Sequence, residues 1–278
     1  MYEAIALATG TPRASVTQAV ARAVDQARED ASAWRRLRQE LRQAAQAHAF
    51  TLAYQPRVNL ADGQLYGVEA QLRWPRRRGA MSPASAFMPL LAEWGLAQEV
   101  ADWSLTEACR QATAWEKALL CVVVPGASLQ DGSLLAQVGT ALSESGLVAD
   151  RLEIAITETA LAGDSMEVLL GIAALRDLGV GMALDGFGGA SADLMTLKRL
   201  PLTALKLDRS LVRDVPLDRE ASAVVLAAID FAHALDITVV GCGVDSAEQR
   251  AFLRRAGCDQ AQGGHCGRTV TREAISAL

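Results

Sequence analysis

Aromatic side chains make up only 5% of this 278-residue chain, so any stacking of a planar ligand would depend on few residues. Positive charge is not in excess either. The formal net charge is −5, which removes the electrostatic case for wholesale binding of a nucleic acid polymer. No apolar run approaches the roughly 18 residues that cross a bilayer. The longest, Ala118 to Val124, has the size of a buried strand, and no membrane span is expected. A secretory leader is not legible, because Glu3 and Gly10 interrupt a weak start. The five cysteines are Cys109, Cys121, Cys242, Cys258 and Cys266. An odd count without a leader suggests free thiols in a reducing cytosol, hence a cytoplasmic protein. What remains is ordinary globular material, 51% hydrophobic and 21% charged, long enough for one large α/β domain or two small ones.

Glycine is absent from residues 11–48, and Pro12 is the only proline there. Thr11-Pro12 makes a good helix start, with a cap followed by proline at the first helical position. Val20, Ala27, Trp34 and Leu41 recur every seven residues, with Val16, Ala23, Leu37 and Ala44 between them and Asp30 as an interruption. The small alanines suit amphipathic helices lying on a following domain better than a strong coiled coil. A homodimer through this segment stays open.

From Phe50 onward the texture alternates between strand and helix. Thr51 to Val58 and Tyr66 to Arg73 read as strands joined across Asp62-Gly63, a hairpin signal that makes the pair antiparallel. Further strands are expected near 119–124, 152–156, 181–184, 204–207, 238–242 and 260–263. Helices are expected near 97–115, 130–145, 165–178, 191–199, 219–235 and 246–256, with a short one after Thr271. Apolar strands separated by helices imply parallel pairing with right-handed crossovers. Eight of them imply a closed barrel. The first strand, which enters by the hairpin, must run against the others.

Several segments then become recognisable. Tyr54-Gln55-Pro56 is followed by Gly67-Val68-Glu69-Ala70-Gln71-Leu72-Arg73-Trp74. Ile156-Thr157-Glu158, Leu184-Asp185 with Phe187-Gly188, Leu205-Lys206-Leu207-Asp208, Gly243-Val244 and Gln262-Gly263 follow in order. Together these resemble the EAL family of cyclic di-GMP phosphodiesterases, over about residues 38–278. The signature Glu-Ala-Leu reads Glu69-Ala70-Gln71. The resemblance implies an α/β fold, a modified TIM barrel of EAL type with an antiparallel first strand. Residues 1–37 would form an N-terminal helical segment and 38–278 the barrel domain.

Active members hydrolyse one phosphodiester bond with two Mg²⁺ or Mn²⁺ ions held at the C-terminal mouth of the barrel. Hard divalent ions need several oxygen ligands. Matched residue by residue, the family's oxygen ligands fall here on Glu69, Val123, Ala155, Asp185, Gly186 and Cys242. Only Glu69 and Asp185 keep a carboxylate. Lys206 matches the family's active-site lysine, and Glu158 the residue that steadies the loop reading Gly189-Ala190-Ser191-Ala192-Asp193. Glu69, Asp185 and Lys206 are therefore remnants of a catalytic set, and Mg or Mn binding is expected to be lost or weak.

The ligand contacts fare better. Gln55 and Arg73 match residues that touch the dinucleotide, and Glu69, Asp185, Lys206 and Gln262 complete the candidate ligand-binding set. A relic ionic cluster, with Glu69 and Asp185 paired to Arg73 and Lys206, is the bland alternative. Cys242 with His265-Cys266 invites a zinc reading, but the spacing matches no standard pattern. Arg76-Arg77-Arg78 suits a solvated basic turn better than a phosphate grip. The resemblance thus implies a degenerate, non-catalytic receptor or signalling module for cyclic di-GMP in bacterial second-messenger control. A module that has lost the nucleotide and binds an unidentified protein partner is the alternative. Weak phosphodiesterase activity is the third reading.

Overall fold

The computed structural model describes residues 32–76, 80–161, 166–189 and 194–276. The helix start at Thr11-Pro12, the earlier heptad positions, Arg77, Arg78 and the loop segment 190–193 lie outside the described residues. The chain divides into two compact units, Met1–Ala49 and Phe50–Leu278. In the first, residues 32–46 are helical, as their heptad spacing predicts.

Among the described residues, the second unit is built on nine strands. β1 (Thr51–Asn59) and β2 (Leu65–Pro75) form the expected antiparallel hairpin. Gly63, at φ +76°, takes the turn position that Asp62-Gly63 signals, and the Asp62 carboxylate accepts the Gln64 N–H at 2.9 Å. β4 (Leu119–Val123), β5 (Leu152–Thr157), β6 (Gly181–Phe187), β7 (Ala204–Leu207), β8 (Thr238–Cys242) and β9 (Gln260–Gln262) continue parallel to β2 and to one another. β1 runs antiparallel to both β2 and β9 and closes the barrel. The ninth strand is β3 (Met81–Pro83), a three-residue edge on β2 outside the closed ring. The eight-strand expectation describes the ring and misses this edge.

Helices α1 (Ala84–Glu93) and α2 (Ala97–Ala112) flank the hairpin side of the mouth. α1 has no counterpart among the helices expected from sequence; Pro89 sits inside it, and proline reads as a breaker. Apolar side chains between strands and helices form one large core, including Leu120, Leu152, Ile154, Ile172, Leu205 and Val239.

The barrel interior is different. Side chains alternate inward and outward along each strand, and the inward set at mid-height is small: Cys121, Ala155, Ala183, Ala204 and Val240. Two long cationic side chains fill the remaining space, Arg57 from one end and Lys206 from the other, each 1% exposed. Arg57 donates to the Glu153 carboxylate at 2.7 and 3.3 Å and stacks on Tyr66 at 5.1 Å from the ring centroid. Burial disfavours its charge, but the facing Glu153 carboxylate more than reverses this and holds Arg57 protonated.

A buried pair of this kind is weak evidence for net stability, yet breaking it strands one charge in a dry interior. Glu153→Ala is expected to cost about 3–5 kcal/mol in urea unfolding. Replacing both Arg57 and Glu153 with apolar residues of similar volume should cost far less. Equal losses for the single and double variants would contradict this account of the barrel floor.

Candidate functional site

The strand period of two sends Glu69, Gln71 and Arg73 of β2 to one face, and that face lines the C-terminal mouth. In the hairpin register Gln55 lies opposite Glu69, and Ala53 opposite Gln71. Asp185 near the end of β6, Lys206 on β7, Cys242 on β8 and Gln262 on β9 reach the mouth from their own strands.

Lys206 is the pivot. Its Nζ donates to Glu69 Oε2 at 2.6 Å and lies 2.7 Å from Asp185 Oδ1. Glu69 Oε2 also accepts from Gln262 Nε2 at 2.9 Å, and Oε1 from Gln71 Nε2 at 3.4 Å. Burial alone would raise the Glu69 pKa. The Lys206 charge and the donated hydrogen bonds outweigh burial and hold it at about 2, below its ordinary value of 4.5. Its contribution to stability is therefore complete above pH 4.5 and lost as pH falls toward 2. For Lys206 the balance runs the same way: burial disfavours the charge, but Glu69 and Asp185 drive its pKa well above the ordinary lysine value. Both remaining carboxylates thus share one buried ammonium, which leaves the trio with one negative charge in excess.

Arg73 does not join that cluster. Its guanidinium donates to Gln71 Oε1 and to the Leu72 carbonyl, the latter at 3.3 Å, and no ion pair to it is found among the described residues. It lines a groove of about 720 Å³ between β2, the end of β4 and helices α1 and α2. Leu72, Met88, Pro89, Ala101 and Val123 supply much of the apolar wall. Of the relic ionic cluster expected from sequence, then, the Lys206 half forms and the Arg73 half does not.

Gln55 stands at the rim with both ends of its amide in use. Nε2 donates to the carbonyls of Gly267 and Gly263, and Oε1 accepts from Thr269 Oγ1 at 2.8 Å. It ties the hairpin to the C-terminal loop. Glu158 accepts the Gly188 N–H at 3.1 Å, so it does tether the start of the loop after β6.

The positions that match the family's other oxygen ligands also face this mouth or the layer beneath it. Val123 is 39% exposed there, Ala155 is buried, and Cys242 packs against the small inner layer. Gly186 adopts φ +80° at a register shift of β6, a conformation that would strain an aspartate in the same place. Burial pushes the Cys242 thiol well above its ordinary pKa, so it is not a thiolate at neutral pH. Among the described residues no group of three or more His, Cys, Asp or Glu side chains is placed to hold a metal ion, the trio Cys242, His265 and Cys266 included.

From sequence, Gln71 counts only as a departure from the signature. Its place on the inward face, two residues from Glu69 and two from Arg73, was the signal for a larger part. The contribution of α1 to the groove had no such signal.

The profile of the EAL domain family matches residues 38–269. An uncharacterised signalling protein of Caulobacter vibrioides is 36% identical over 243 residues, which is 87% of this chain and 30% of that protein. NbdA of Pseudomonas aeruginosa, a cyclic di-GMP phosphodiesterase, is 35% identical over 82% of this chain and 30% of its own length. The chain thus spans about a third of the length of these curated relatives. The solved phosphodiesterase PaMucR in complex with cyclic di-GMP superposes with a TM-score of 0.81 at 32% identity, covering 85% of this chain and 98% of that one. The closed barrel with its reversed first strand, the ordered motifs along it and these likenesses agree, and the chain belongs to the EAL domain family.

Proposed function

We propose that this chain is a non-catalytic receptor for cyclic di-GMP. The observation that carries the reading is the division of charge at the mouth. Glu69 and Asp185 are both engaged by the single charge of Lys206, whereas Arg73 faces the groove with a neutral amide and a carbonyl as its partners. A guanidinium so placed keeps its charge for a phosphate, which it can meet through two parallel hydrogen bonds. The apolar groove beside it suits a base.

The residues present do not fit a two-ion centre. Val, Ala, Gly and Cys stand where oxygen ligands are needed, and the two surviving carboxylates already bind an ammonium. One hard ion asks for six or more oxygens. The fold supports the same conclusion about stability, since its core is large and aliphatic and does not depend on a metal. Chelator is expected to leave the thermal midpoint nearly unchanged. Cyclic di-GMP in chelator should raise it by the amount it does in Mg²⁺. A midpoint raised only when Mg²⁺ is present would overturn the proposal.

One observation favours the alternative module that has lost the nucleotide. Gln55, a candidate contact, is consumed by the C-terminal loop. In that reading a protein partner takes the place of the ligand. The test above separates them, because that module shows no nucleotide-dependent shift.

A further inference from the structure

Gln71 replaces the apolar residue that ends the family's three-letter signature, and the structure gives the replacement work to do. Its Oε1 accepts from Arg73 Nη2, and its Nε2 donates to Glu69 Oε1 at 3.4 Å. The amide thereby bridges the cluster around Lys206 and the guanidinium at the groove, which has no ion pair among the described residues. We infer that Gln71 is a positioning residue for anion recognition, holding the Arg73 guanidinium ready for a phosphate; this rests on the receptor reading above for the identity of the ligand.

The physical case has two parts. Arginine carries a long stem, and freezing it on binding costs affinity. An acceptor that fixes one arm of the fork beforehand removes part of that cost. The acceptor must also be neutral. A carboxylate in the same place would fix the fork equally well but cancel the charge that attracts the phosphate. The amide's other end matters too, because it must meet Glu69, a carboxylate, and only a donor can do so without repulsion. Glutamine alone among side chains of this length offers a neutral acceptor toward Arg73 and a donor toward Glu69.

The test uses three variants and two readouts. Gln71→Met keeps the length and removes both hydrogen-bonding ends. Gln71→Glu keeps the acceptor and adds charge. Arg73→Ala identifies the signal and closes the cycle. Cyclic di-GMP affinity is measured by calorimetry, and the ordering of Arg73 by its Nε–H signal in nitrogen-15 NMR spectra of ligand-free protein. Expected are about 3- to 10-fold weaker binding for Q71M and a greater loss for Q71E. The Arg73 signal should broaden or exchange faster in Q71M, and Q71M should add nothing in the Arg73→Ala background. Binding and Arg73 signal both unchanged in Q71M would overturn the assignment, as would equal losses from Q71M with and without Arg73. Should wild-type protein bind no cyclic di-GMP while the Arg73 signal still loosens in Q71M, the positioning role stands and the receptor reading falls.

Discussion

No turnover of cyclic di-GMP is expected, with Mg²⁺ or with Mn²⁺, at protein concentrations high enough to detect slow product formation by chromatography. Two-metal phosphodiester cleavage needs both ions held close enough to share the attacking water and the phosphate. At this mouth the ligand positions carry Val123, Ala155, Gly186 and Cys242, and the two remaining carboxylates point at Lys206 Nζ from 2.6 and 2.7 Å. Restoring one ligand should not restore the rate. Gly186→Asp would return a carboxylate, but at φ +80°, where a side chain with Cβ costs about 1–2 kcal/mol. Ala155→Glu would put a long acid into a layer packed with small residues. Turnover in the usual enzyme range of about 1–1,000 per second by the wild-type chain would refute the inactive reading.

Arg73→Ala should weaken cyclic di-GMP binding by roughly 30- to 1,000-fold, equivalent to about 2–4 kcal/mol. The guanidinium is half-buried at the groove without an ion pair among the described residues, so its loss removes a charge held for the ligand. Arg73→Lys should recover only part of the affinity, since a point charge cannot make two parallel hydrogen bonds to one phosphate. Glu69→Gln should leave binding intact or strengthen it, because Lys206 is shared with Asp185 and the substitution removes the excess negative charge of the trio. Lys206→Ala acts differently from a lost ligand contact. It leaves Glu69 and Asp185 facing each other uncompensated, so both stability and affinity for a dianionic ligand should fall. Titration of these variants by calorimetry, alongside urea unfolding, separates the two effects. An Arg73→Ala variant that binds like wild type would remove the central contact from the account.

The sequence made the ring of the barrel legible for two reasons. Asp62-Gly63 fixes the hairpin, and the mostly apolar runs near 119–124, 152–156 and 238–242 have the length and composition of buried parallel strands. β3, with three residues, is too short to show a period. α1 was hidden by Pro89, and Arg209–Arg213 makes barely more than one turn. At the site, the gathering of Glu69, Asp185 and Lys206 at the mouth is legible through the resemblance of the motifs that carry them. Their partners are not. The bond from Gln55 to Gly267 joins residues 212 apart, and the ion pair from Lys206 to Glu69 joins residues 137 apart. Such pairings depend on how the ring closes, so no local pattern shows that Lys206 is spent on both carboxylates while Arg73 is left to the groove. Gln71 shows the same limit. Its residue type was visible, but its bond to Arg73 was not.

The claim that ties these points together is recognition without metal. The most direct measurement is a calorimetric titration of the wild-type chain with cyclic di-GMP, once in Mg²⁺ and once in chelator, with the nucleotide recovered afterwards and chromatographed. The account predicts saturable binding of the same affinity in both solutions and intact ligand at the end. No heat of binding at high micromolar nucleotide, or binding that requires Mg²⁺ and returns cleaved product, would contradict it.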